Sequence, residues 1–521
     1  MNQVIVVGSG AAGSAAAVAA AVAGAQVTMI ERADTLGGTT TYSGSVAWLP
    51  ANHLETEAGI DDSQEEALTY LGELALGDVD QPLVETFVKE AGPTVHWIEE
   101  HSPVRWRVLP YPDYHPERAG GKVEGRSLEV EPLSLPAELI AQLRQPPNLP
   151  MPITYGELAR GEVDADEARR RLDGGIVTMG RALVGGLVRS FLDLGGAIQR
   201  GTRARRLLVE DGHVTGVVTD NGTVRGRVVL ASGGFERDPA LVRAFLRGPM
   251  VAPAGAPTCG GDGVRMAQAV GAALGNMSEA WWAPTLSIPD ETYDGAPVHR
   301  LLLTERVRPG SLMVDGSGQR FVDEAQNYND LGRTLHDFDA SRFAWTRSPS
   351  WLVFDASYRQ RYHLGPLRRD DPDPAWLYRG DGPVALATQL GLPVDTFTAT
   401  VARFNEQAAS GRDDDFGRGG SEYDRFLGDA RAAHPTLAPL DTAPFYAVRV
   451  SAGCIGTKGG PRTDDAGRVL AALDATPIPG LFAAGNAAAN PFGLTYPGAG
   501  GTIGPALVFG IRAGLAAAGD G

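Results

Sequence analysis

Residues 1–31 contain the feature that most limits the folds open to this chain. A run of Val and Ile at residues 3–7 indicates a β-strand, and the alanine-rich residues 11–23 indicate a helix. Between them Gly8, Gly10 and Gly13 have the spacing G-x-G-x-x-G, and a second apolar run, 27–30, ends at Glu31. Such glycines permit a tight turn and close approach of a pyrophosphate, and the acid accepts hydrogen bonds from a ribose. The unit therefore predicts an α/β, Rossmann-like dinucleotide-binding domain.

Nicotinamide and flavin dinucleotides share this fingerprint, and three later segments favour a flavin. The loop after Glu31, RADTLGGTTTYSGSVAWLP, offers backbone and hydroxyl groups to more phosphate and to an isoalloxazine ring. Residues 204–219 and 222–230 alternate as a hairpin that ends at ASGG, and IPGLFAAGN contains a strand at 481–484, so the last part of the domain returns from the far end of the chain. The predicted cofactor-binding residues are Gly8, Gly10, Ala12, Gly13, Glu31, Arg32, Gly37, Gly38, Thr39, Thr40, Ser43, Gly44, Ala204, Ala231, Ser232, Gly233, Gly485, Asn486, Gly501, Thr502 and Ile503.

The composition argues against several other classes of protein. A formal net charge of −17 is unfavourable for a surface that binds nucleic acid or an anionic membrane. Cys259 and Cys454 have no C-x-x-C spacing, and His115, His299 and His336 have no metal-ligand spacing, so we predict no metal site and interpret these histidines as surface or core groups. The sequence shows no secretion signal or membrane span, and we expect a cytoplasmic protein.

The middle of the chain interrupts the dinucleotide-binding pattern. Residues 281–444 are richer in aromatic residues, proline and charges, and they predict an inserted α+β cap domain. Its most organised part contains a strand at 312–314, a glycine turn and a short strand at 320–322 that leads to Tyr328. The expected division is therefore 1–280 for the first part of the FAD-binding domain, 281–444 for the catalytic cap and 445–521 for the second part.

The stretch NPFGLTYPGAGGTIGPALVFG places Tyr496 inside a glycine-rich turn that runs into an apolar helix. Glycine lets a ligand approach main-chain N–H groups closely, and the start of a helix presents such groups to negative charge. A tyrosine hydroxyl beside that array can polarise an oxygen atom. The turn is thus a candidate for part of an active site.

These segments resemble the flavoprotein family of succinate dehydrogenase and fumarate reductase flavin subunits, and within it the 3-ketosteroid Δ1-dehydrogenases. The closer resemblance rests on VLPYPDYHPE around Tyr114, GQRFVDEAQNY ending at Tyr328, and TYPGAGGTIGPAL, which contains Tyr496 and Gly500. It implies that these four residues form the catalytic site, with Tyr111 as an alternative to Tyr114. It also implies non-covalent FAD, because the loop after Glu31 has no His or Cys where covalently flavinylated relatives have His.

The resemblance implies desaturation of a 3-ketosteroid. Fumarate-type relatives use Arg and His to hold dicarboxylates, whereas no cation lies between Asn490 and Phe509, so the site is expected to take a neutral substrate with one carbonyl. Tyr496 and the Gly500 N–H are expected to bind the C3 oxygen as an oxyanion-hole-like pair. Tyr328 is expected to take the C2 proton, helped by a hydrogen bond from Tyr114, while the C1 hydride passes to flavin N5. An external acceptor such as a quinone is expected to reoxidise the flavin.

Trp281, Trp282, Pro284 and Leu286 are candidates for the apolar wall of the substrate site, with core packing as the equal alternative. Other functions also remain open at this point. A related flavin desaturase or enone reductase, such as a Δ4-(5α)-ketosteroid dehydrogenase, would use the same fold, and a hydratase or isomerase would keep FAD without net oxidation. The sequence does not indicate an oligomeric state.

Overall fold

The computed structural model describes residues 2–77, 79–147 and 152–519. The strands of the first half are β1 (Gln3–Val7), β2 (Gln26–Ile30), β3 (Ala47–Trp48), β4 (Trp106–Val108), β5 (Ser127–Val130), β6 (Leu133–Ser134), β7 (Ile176–Val177), β8 (Ala197–Gln199), β9 (Ala204–Glu210), β10 (His213–Thr219), β11 (Gly222–Arg225) and β12 (Arg227–Leu230). The later strands are β13 (Ala252–Pro253), β14 (Leu274–Gly275), β15 (Ala280–Tyr293), β16 (Ala296–Leu301), β17 (Ser311–Asp315), β18 (Phe338–Asp339), β19 (Ala344–Trp345), β20 (Ser350–Asp355), β21 (Tyr378–Gly380), β22 (Phe445–Thr457), β23 (Gly460–Pro461), β24 (Arg468–Leu470) and β25 (Pro477–Ala483).

The helices of the first half are α1 (Ala11–Val22), α2 (His53–Glu57), α3 (Gln64–Ala75), α4 (Gln81–His101), α5 (Ala137–Gln142), α6 (Tyr155–Arg160), α7 (Ala165–Asp173), α8 (Met179–Asp193) and α9 (Pro239–Phe245). They are followed by α10 (Asp262–Ala269), α11 (Tyr328–Thr334), α12 (Ala356–Arg361), α13 (Pro383–Leu390), α14 (Val394–Ser410), α15 (Glu422–Phe426) and α16 (Ile503–Gly519). Short 3-10 helices occur at Thr40–Tyr42 and Gly485–Ala487.

A six-stranded sheet in the order β24-β25-β12-β1-β2-β8 forms the centre of the dinucleotide-binding domain. All its neighbouring pairs are parallel except β24 with β25. Val4 and Val6 face a core shared with α1 and α16, and Ile5 and Val7 face a second core under β9 and β10. Burial on both faces explains why β1 is apolar throughout instead of alternating.

Helices α1 and α16 join the two ends of the chain. A Cβ atom on Gly510 would lie 2.6 Å from the carbonyl oxygen of Ala12, and one on Gly514 would lie 2.3 Å from that of Ala16. The two helices are therefore in backbone contact, which requires glycine at these two positions of α16. This packing, together with the pairing of β25 with β12, confirms that the dinucleotide-binding fold is split in sequence.

The hairpin expected at 204–230 is divided by Gly226. Strands β9, β10 and β11 form a separate three-stranded sheet, whereas β12 enters the central sheet beside β1. Gly226 has φ +145°, and a Cβ atom there would lie 2.7 Å from the Gln3 carbonyl oxygen. The glycine thus lets the chain leave one sheet and join the other.

The cap is built on a seven-stranded sheet in which β16-β15-β22-β20-β17 are consecutive and β13 and β21 also pair with β22. The strand predicted at residues 320–322 does not form. Arg320 makes only an isolated β-bridge with Val314. Strand β22 pairs with the strands of the middle segment, although the expected division places residues 445–521 with the FAD-binding domain. The division itself stays a proposal.

We predict that Gly514→Ala destabilises the protein, because the new methyl group meets the backbone of α1. Overpacking of this kind lowers the free energy of unfolding by about 1–3 kcal/mol. Gly72→Ala is the matched control, since Gly72 lies inside α3 and its Cβ would meet nothing within 4 Å. That control should gain about 0.5–1 kcal/mol from helix propensity. Thermal denaturation at a fixed FAD concentration measures both, and a Gly514→Ala variant as stable as the control would contradict the packing.

Candidate active site

The G-x-G-x-x-G turn forms a cradle with no room for side chains. Gly8 follows β1 with φ +109°, and a Cβ atom there would lie 2.3 Å from the Ala231 carbonyl oxygen. A Cβ atom on Gly13 would lie 2.0 Å from the Gly8 oxygen. These distances exclude every residue except glycine. The turn leads into α1, whose first N–H groups are suited to a pyrophosphate.

Glu31 lies at the carboxyl end of β2, beside this cradle. Its Oε2 accepts hydrogen bonds from the backbone N of Ser9 at 3.2 Å and from Ser9 Oγ at 2.7 Å, and its Oε1 accepts one from Ala33 N at 2.9 Å. An acid at this place in the fold is suited to a ribose. Arg32 is ion-paired with Asp262 at 3.2 Å.

The loop after Glu31 folds over the cradle. Thr40 Oγ1 accepts a hydrogen bond from Ala11 N at the start of α1 at 3.0 Å, and Gly37 N donates to Ser9 Oγ at 2.8 Å. The other predicted cofactor residues are Gly10 and Ala12 in the cradle and α1, Gly38, Thr39, Ser43 and Gly44 in the loop, Ser232 and Gly233 after β12, Gly485 and Asn486 after β25, Gly501, Thr502 and Ile503 at the start of α16, and Ala204 at the start of β9.

A pocket separates the end of β25 from the beginning of α16, and Gly485, Asn490, Thr502 and Ala506 are among the residues that line it. It lies at the carboxyl end of the central sheet, where doubly wound folds bind their dinucleotides. The glycine cradle, the acid at the end of β2 and the hydroxyl-rich loop fit FAD.

Three tyrosines from distant parts of the chain are in contact. The ring centroid of Tyr114 lies 5.0 Å from that of Tyr496 and 5.5 Å from that of Tyr328, and the Tyr328 and Tyr496 centroids are 5.6 Å apart. The exposed fraction is 4 % for Tyr114, 8 % for Tyr328 and 3 % for Tyr496. The structure therefore brings together the three tyrosines that the resemblance implied.

Each tyrosine is positioned by a different element. Tyr328 is the first residue of α11, and the Asn327 side chain caps that helix by accepting from Asp330 N at 3.0 Å. Tyr114 lies in a loop, where its backbone N donates to the Pro497 carbonyl oxygen at 2.9 Å. This bond ties the Tyr114 loop directly to the turn that contains Tyr496.

Gly500 requires its glycine for steric reasons. Its φ is +97°, and a Cβ atom would lie 2.4 Å from Val46 O and 2.5 Å from Trp48 N. Burial raises the pKa of Tyr496, and hydrogen bonds from the Tyr328 side chain, the Thr502 side chain and the Gly500 backbone oppose that rise. The Tyr496 hydroxyl and the Gly500 backbone therefore lie at the same point of the site.

Burial raises the pKa of Tyr328 well above its usual value. The charge of a neighbouring ionised Tyr496 would raise it further, whereas a hydrogen bond from Tyr114 lowers it. The environment thus opposes a phenolate at Tyr328, and Tyr114 is the neighbour that favours one. Tyr111 instead packs against Phe426, with ring centroids 4.5 Å apart, so Tyr114 is the member of that segment that contacts the other two tyrosines.

One tryptophan of the expected apolar wall reaches this cluster. The Trp281 ring centroid lies 4.7 Å from that of Tyr496, and Trp281 Nε1 donates to Asn486 Oδ1 at 3.1 Å. Trp282 points to the opposite face of β15 and packs on His336, with centroids 4.2 Å apart. Leu286 belongs to a separate core of the cap.

Lys458 is a buried cation beneath the Tyr496 turn that the sequence analysis did not identify. Its Nζ donates to the carbonyl oxygens of three consecutive residues, Gly493 at 3.0 Å, Leu494 at 3.0 Å and Thr495 at 2.7 Å. It also lies 4.2 Å from the centre of the Trp281 ring. Burial lowers the pKa of Lys458 to about 7. A lone lysine at the end of the apolar run CIGTKGG was the signal available in the sequence.

Asp113 is a second residue that the sequence analysis missed. Its buried carboxylate accepts hydrogen bonds from Trp48 Nε1 at 2.7 Å, Arg126 Nη1 at 2.9 Å and Lys122 N at 3.0 Å. Burial raises the pKa of Asp113 to about 6. Asp113 also bridges to Gly498 through the backbone, so this network fixes the residues next to Tyr114 and Gly500.

Comparison with known proteins agrees with this geometry. A family model described as "FAD binding domain" matches residues 3–503. A 3-oxosteroid 1-dehydrogenase from Mycolicibacterium smegmatis is 36% identical over 98% of this chain and 96% of its own length. The crystal structure of 3-ketosteroid delta1-dehydrogenase from Sterolibacterium denitrificans superposes with a TM-score of 0.91 and 33% identity, covering 100% of both chains. The chain belongs to this family of FAD-dependent oxidoreductases.

Family membership confirms the expected fold class, the flavin cofactor and the enzyme class. Another relative, 4-oxocyclohexanecarboxylate 2-dehydrogenase from Sinomonas cyclohexanicum, is 39% identical over 99% of this chain and 93% of its own length. This chain is thus similar both to relatives named for a steroid and to a relative named for a single-ring ketone. Among the described residues, no helix is both long and apolar enough to cross a membrane.

We predict that Glu31→Ala weakens FAD binding, because it removes the charged acceptor beside the cradle. A hydrogen bond to a charged group contributes about 1.5–3 kcal/mol, so the Kd for FAD should rise roughly 10- to 100-fold. Fluorescence titration of the apoprotein measures the Kd, with Glu57→Ala, an exposed acid in α2, as the control. Unchanged affinity in Glu31→Ala would remove this residue from the cofactor site.

Proposed function

We propose that this flavoenzyme introduces a double bond between C1 and C2 of 3-ketosteroids. The observation that carries the proposal is the contact of Tyr114, Tyr328 and Tyr496, with Gly500 beside them. These residues come from the three segments that carry the resemblance, and they meet in one buried cluster. The names of the relatives at 33–36% identity support the steroid as substrate.

Tyr496 and Gly500 are proposed to hold the ketone oxygen. Removing a proton next to a carbonyl places negative charge on its oxygen, and fixed donors aimed at that oxygen stabilise it without reorganisation. A phenolic O–H and a backbone N–H are neutral donors, which suit a neutral ketone. Lys458 holds the turn through its three carbonyl bonds, so the hydroxyl of Tyr496 stays in one orientation.

Tyr328 is proposed to be the base that takes the C2 proton. A phenol whose pKa is raised by burial is rarely ionised at neutral pH, so the reaction needs a neighbour that favours the phenolate. Tyr114 supplies it through its hydroxyl, in agreement with the direction in which its hydrogen bond moves the pKa of Tyr328. FAD, when bound, supplies the acceptor for the C1 hydride.

The proposal extends to how FAD is held and reoxidised. Residues 32–50 contain no His or Cys, which supports non-covalent binding through Gly8, Gly13 and Glu31. A quinone or a similar external acceptor is proposed to reoxidise the flavin. We also propose that the enzyme is located in the cytoplasm.

A second candidate substrate is a cyclohexanone that carries a carboxylate. The relative at 39% identity is named for 4-oxocyclohexanecarboxylate, and hydrogen is likewise removed next to a ring ketone. Arg306 offers a matching cation: it is fully buried, Nε donates to Leu302 O at 2.9 Å, and Nη2 has no hydrogen-bond partner within the described part of the chain. Burial raises the pKa of Tyr423 to about 12, and the charge of Arg306 opposes that rise; the Tyr423 ring centroid is 5.1 Å from that of Tyr114.

Anaerobic titration separates these functions. We expect 4-ene-3-ketosteroids such as 4-androstene-3,17-dione to bleach the flavin stoichiometrically and to yield the 1,4-diene, and 4-oxocyclohexanecarboxylate to bleach it more slowly. Faster bleaching by the carboxylate would favour the second candidate. Bleaching by the 5α-reduced steroid alone would indicate a Δ4-(5α)-dehydrogenase, and a converted substrate without bleaching would indicate a hydratase or isomerase.

We predict that Tyr328→Phe abolishes most flavin reduction while ketosteroid and FAD still bind, because the change removes the base and keeps the ring. The loss should be at least the ~10²–10⁴-fold typical of general acid–base groups. The wild-type rate should climb toward alkaline pH as the phenolate fraction of Tyr328 grows, and this rise should vanish in the variant. Stopped-flow bleaching across pH measures both effects.

Tyr496→Phe and Tyr111→Phe are the matched comparisons. Tyr496→Phe should weaken ketosteroid binding as well as slow reduction, because its hydrogen bond exists in the ground state and strengthens toward the enolate. Tyr111→Phe should stay near the wild-type rate. Near-wild-type reduction in Tyr328→Phe would sink the assignment of the base.

A further inference from the structure

An ion pair connects the segments that contain Tyr114 and Tyr328. His115 directly follows Tyr114, and Asp330 lies two residues after Tyr328 in the first turn of α11. His115 Nε2 and Asp330 Oδ2 are 2.8 Å apart, and both side chains are half-buried. The pair therefore joins the N-terminal part of the chain to the cap at the point where the tyrosine rings meet.

The acidic partner is held in one orientation. Asp330 Oδ2 also accepts a hydrogen bond from Asn327 Nδ2 at 2.9 Å, and its Oδ1 accepts one from Asn329 Nδ2 at 3.2 Å. Asn329 Oδ1 in turn accepts from Trp282 N at 3.2 Å, which anchors the helix turn on β15. The Asp330 carboxylate is thus held in a fixed position relative to the turn that begins with Tyr328.

The basic partner is tied to the Tyr496 turn. His115 N donates to the Tyr70 hydroxyl at 3.1 Å, and that hydroxyl donates to the Pro497 carbonyl oxygen at 2.6 Å. The same carbonyl accepts from Tyr114 N. One short network therefore runs from the residue after Tyr496, through the Tyr114 segment, to α11.

We propose that His115 and Asp330 are positioning residues that hold the Tyr328 hydroxyl within hydrogen-bonding reach of Tyr114 and of the substrate. Their ion pair docks α11 against the Tyr114 loop, and neither side chain takes part in the chemistry. The inference rests on the proposed role of Tyr328 and adds the ion pair that fixes the position of its hydroxyl.

Both His115 and Asp330 are charged at neutral pH. His115 is faced by Glu117 from its own segment, at 3.3 Å, and by Asp330 and Asn327 from α11; Arg118 lies 3.8 Å from Glu117. Burial alone would lower the pKa of His115, but hydrogen bonds to the two carboxylates outweigh it and raise that pKa to about 9. Burial alone would raise the pKa of Asp330, but the hydrogen bond and charge of His115 together with the hydrogen bonds from Asn327 and Asn329 lower it.

The titration has a direction that can be measured. Because the folded-state pKa of His115 is raised, the ion pair is complete below the usual histidine pKa near ~6.5 and is lost as the pH rises through about 9. The rate of flavin reduction should therefore stop rising and fall above about pH 9, although the phenolate fraction of Tyr328 still grows there.

Asp330→Asn tests the proposal in the FAD-loaded enzyme. Stopped-flow flavin bleaching by 4-androstene-3,17-dione should slow about tenfold or more, because small misplacement of a catalytic group has large effects on rate. The apparent Kd of the ketosteroid should change by less than about threefold, since Tyr496 and Gly500 bind the carbonyl. The break near pH 9 should disappear. Glu117→Gln is the control, because it removes the other carboxylate beside His115 without touching α11, and it should keep nearly the wild-type rate.

A second measurement does not depend on turnover. In histidine-labelled FAD enzyme, NMR should show one of the nine imidazoles titrating near pH 9, and His115→Gln should remove that signal. In Asp330→Asn the His115 pKa should move toward ~6.5. His115→Gln should also reproduce the kinetic loss if Asp330→Asn does not fold.

Three results would overturn the inference while the wild-type enzyme is active. These are a His115 that titrates near ~6.5 in the wild type, an Asp330→Asn enzyme that reduces flavin at the wild-type rate, and a break near pH 9 that persists in that variant. A wild-type enzyme whose flavin is bleached by no ketone would instead refute the proposed function, and the positioning role with it.

Discussion

The backbone contact between α1 and α16 is the interaction on which the rest of the structure depends. It brings the last helix of the chain against the first, with Gly510 and Gly514 facing the carbonyl oxygens of Ala12 and Ala16. The turn before α16 contains Tyr496 and Gly500, so this contact also sets the distance between that turn and the glycine cradle at the start of α1. One packing constraint therefore positions both the cofactor site and the catalytic turn.

The tyrosine cluster shows a conflict between burial and chemistry. In the proposed mechanism, a dry site strengthens the hydrogen bonds from Tyr496 and Gly500 to the negative charge that develops on the ketone oxygen. The same dryness raises the pKa of Tyr328, which must lose its proton to act as a base. The hydrogen bond from Tyr114 offsets part of this rise, so the contact between these separate segments bears directly on the protonation of Tyr328.

Much of this arrangement could be predicted from the sequence, because local patterns carry it. The strand, glycine turn, helix and acid at residues 3–31 predict their fold by spacing alone, and the segments around Tyr114, Tyr328 and Tyr496 are recognisable as short stretches. Lys458, Asp113 and the partner of His115 were not predictable, because their roles arise from side-chain contacts that no local pattern encodes. The partners lie 35–37 positions away for Lys458, 9–65 for the Asp113 carboxylate and 215 for His115. The break at Gly226 was missed for the same reason, since the close approach of Gln3 determines it.

Strand β22 is hydrogen-bonded both to the strands of the cap and to residues on the FAD-binding side. Most of its partners belong to the cap, but Val251 N donates to Ala452 O at 3.0 Å and Ala254 N donates to Cys454 O at 2.8 Å from the FAD-binding side. A swing of the whole cap would break these main-chain bonds and shift Lys458, one residue past the strand, together with the Tyr496 turn. Lys458 thus couples the position of β22 to the Tyr496 turn, because it directly follows the strand and donates to three carbonyl oxygens of that turn.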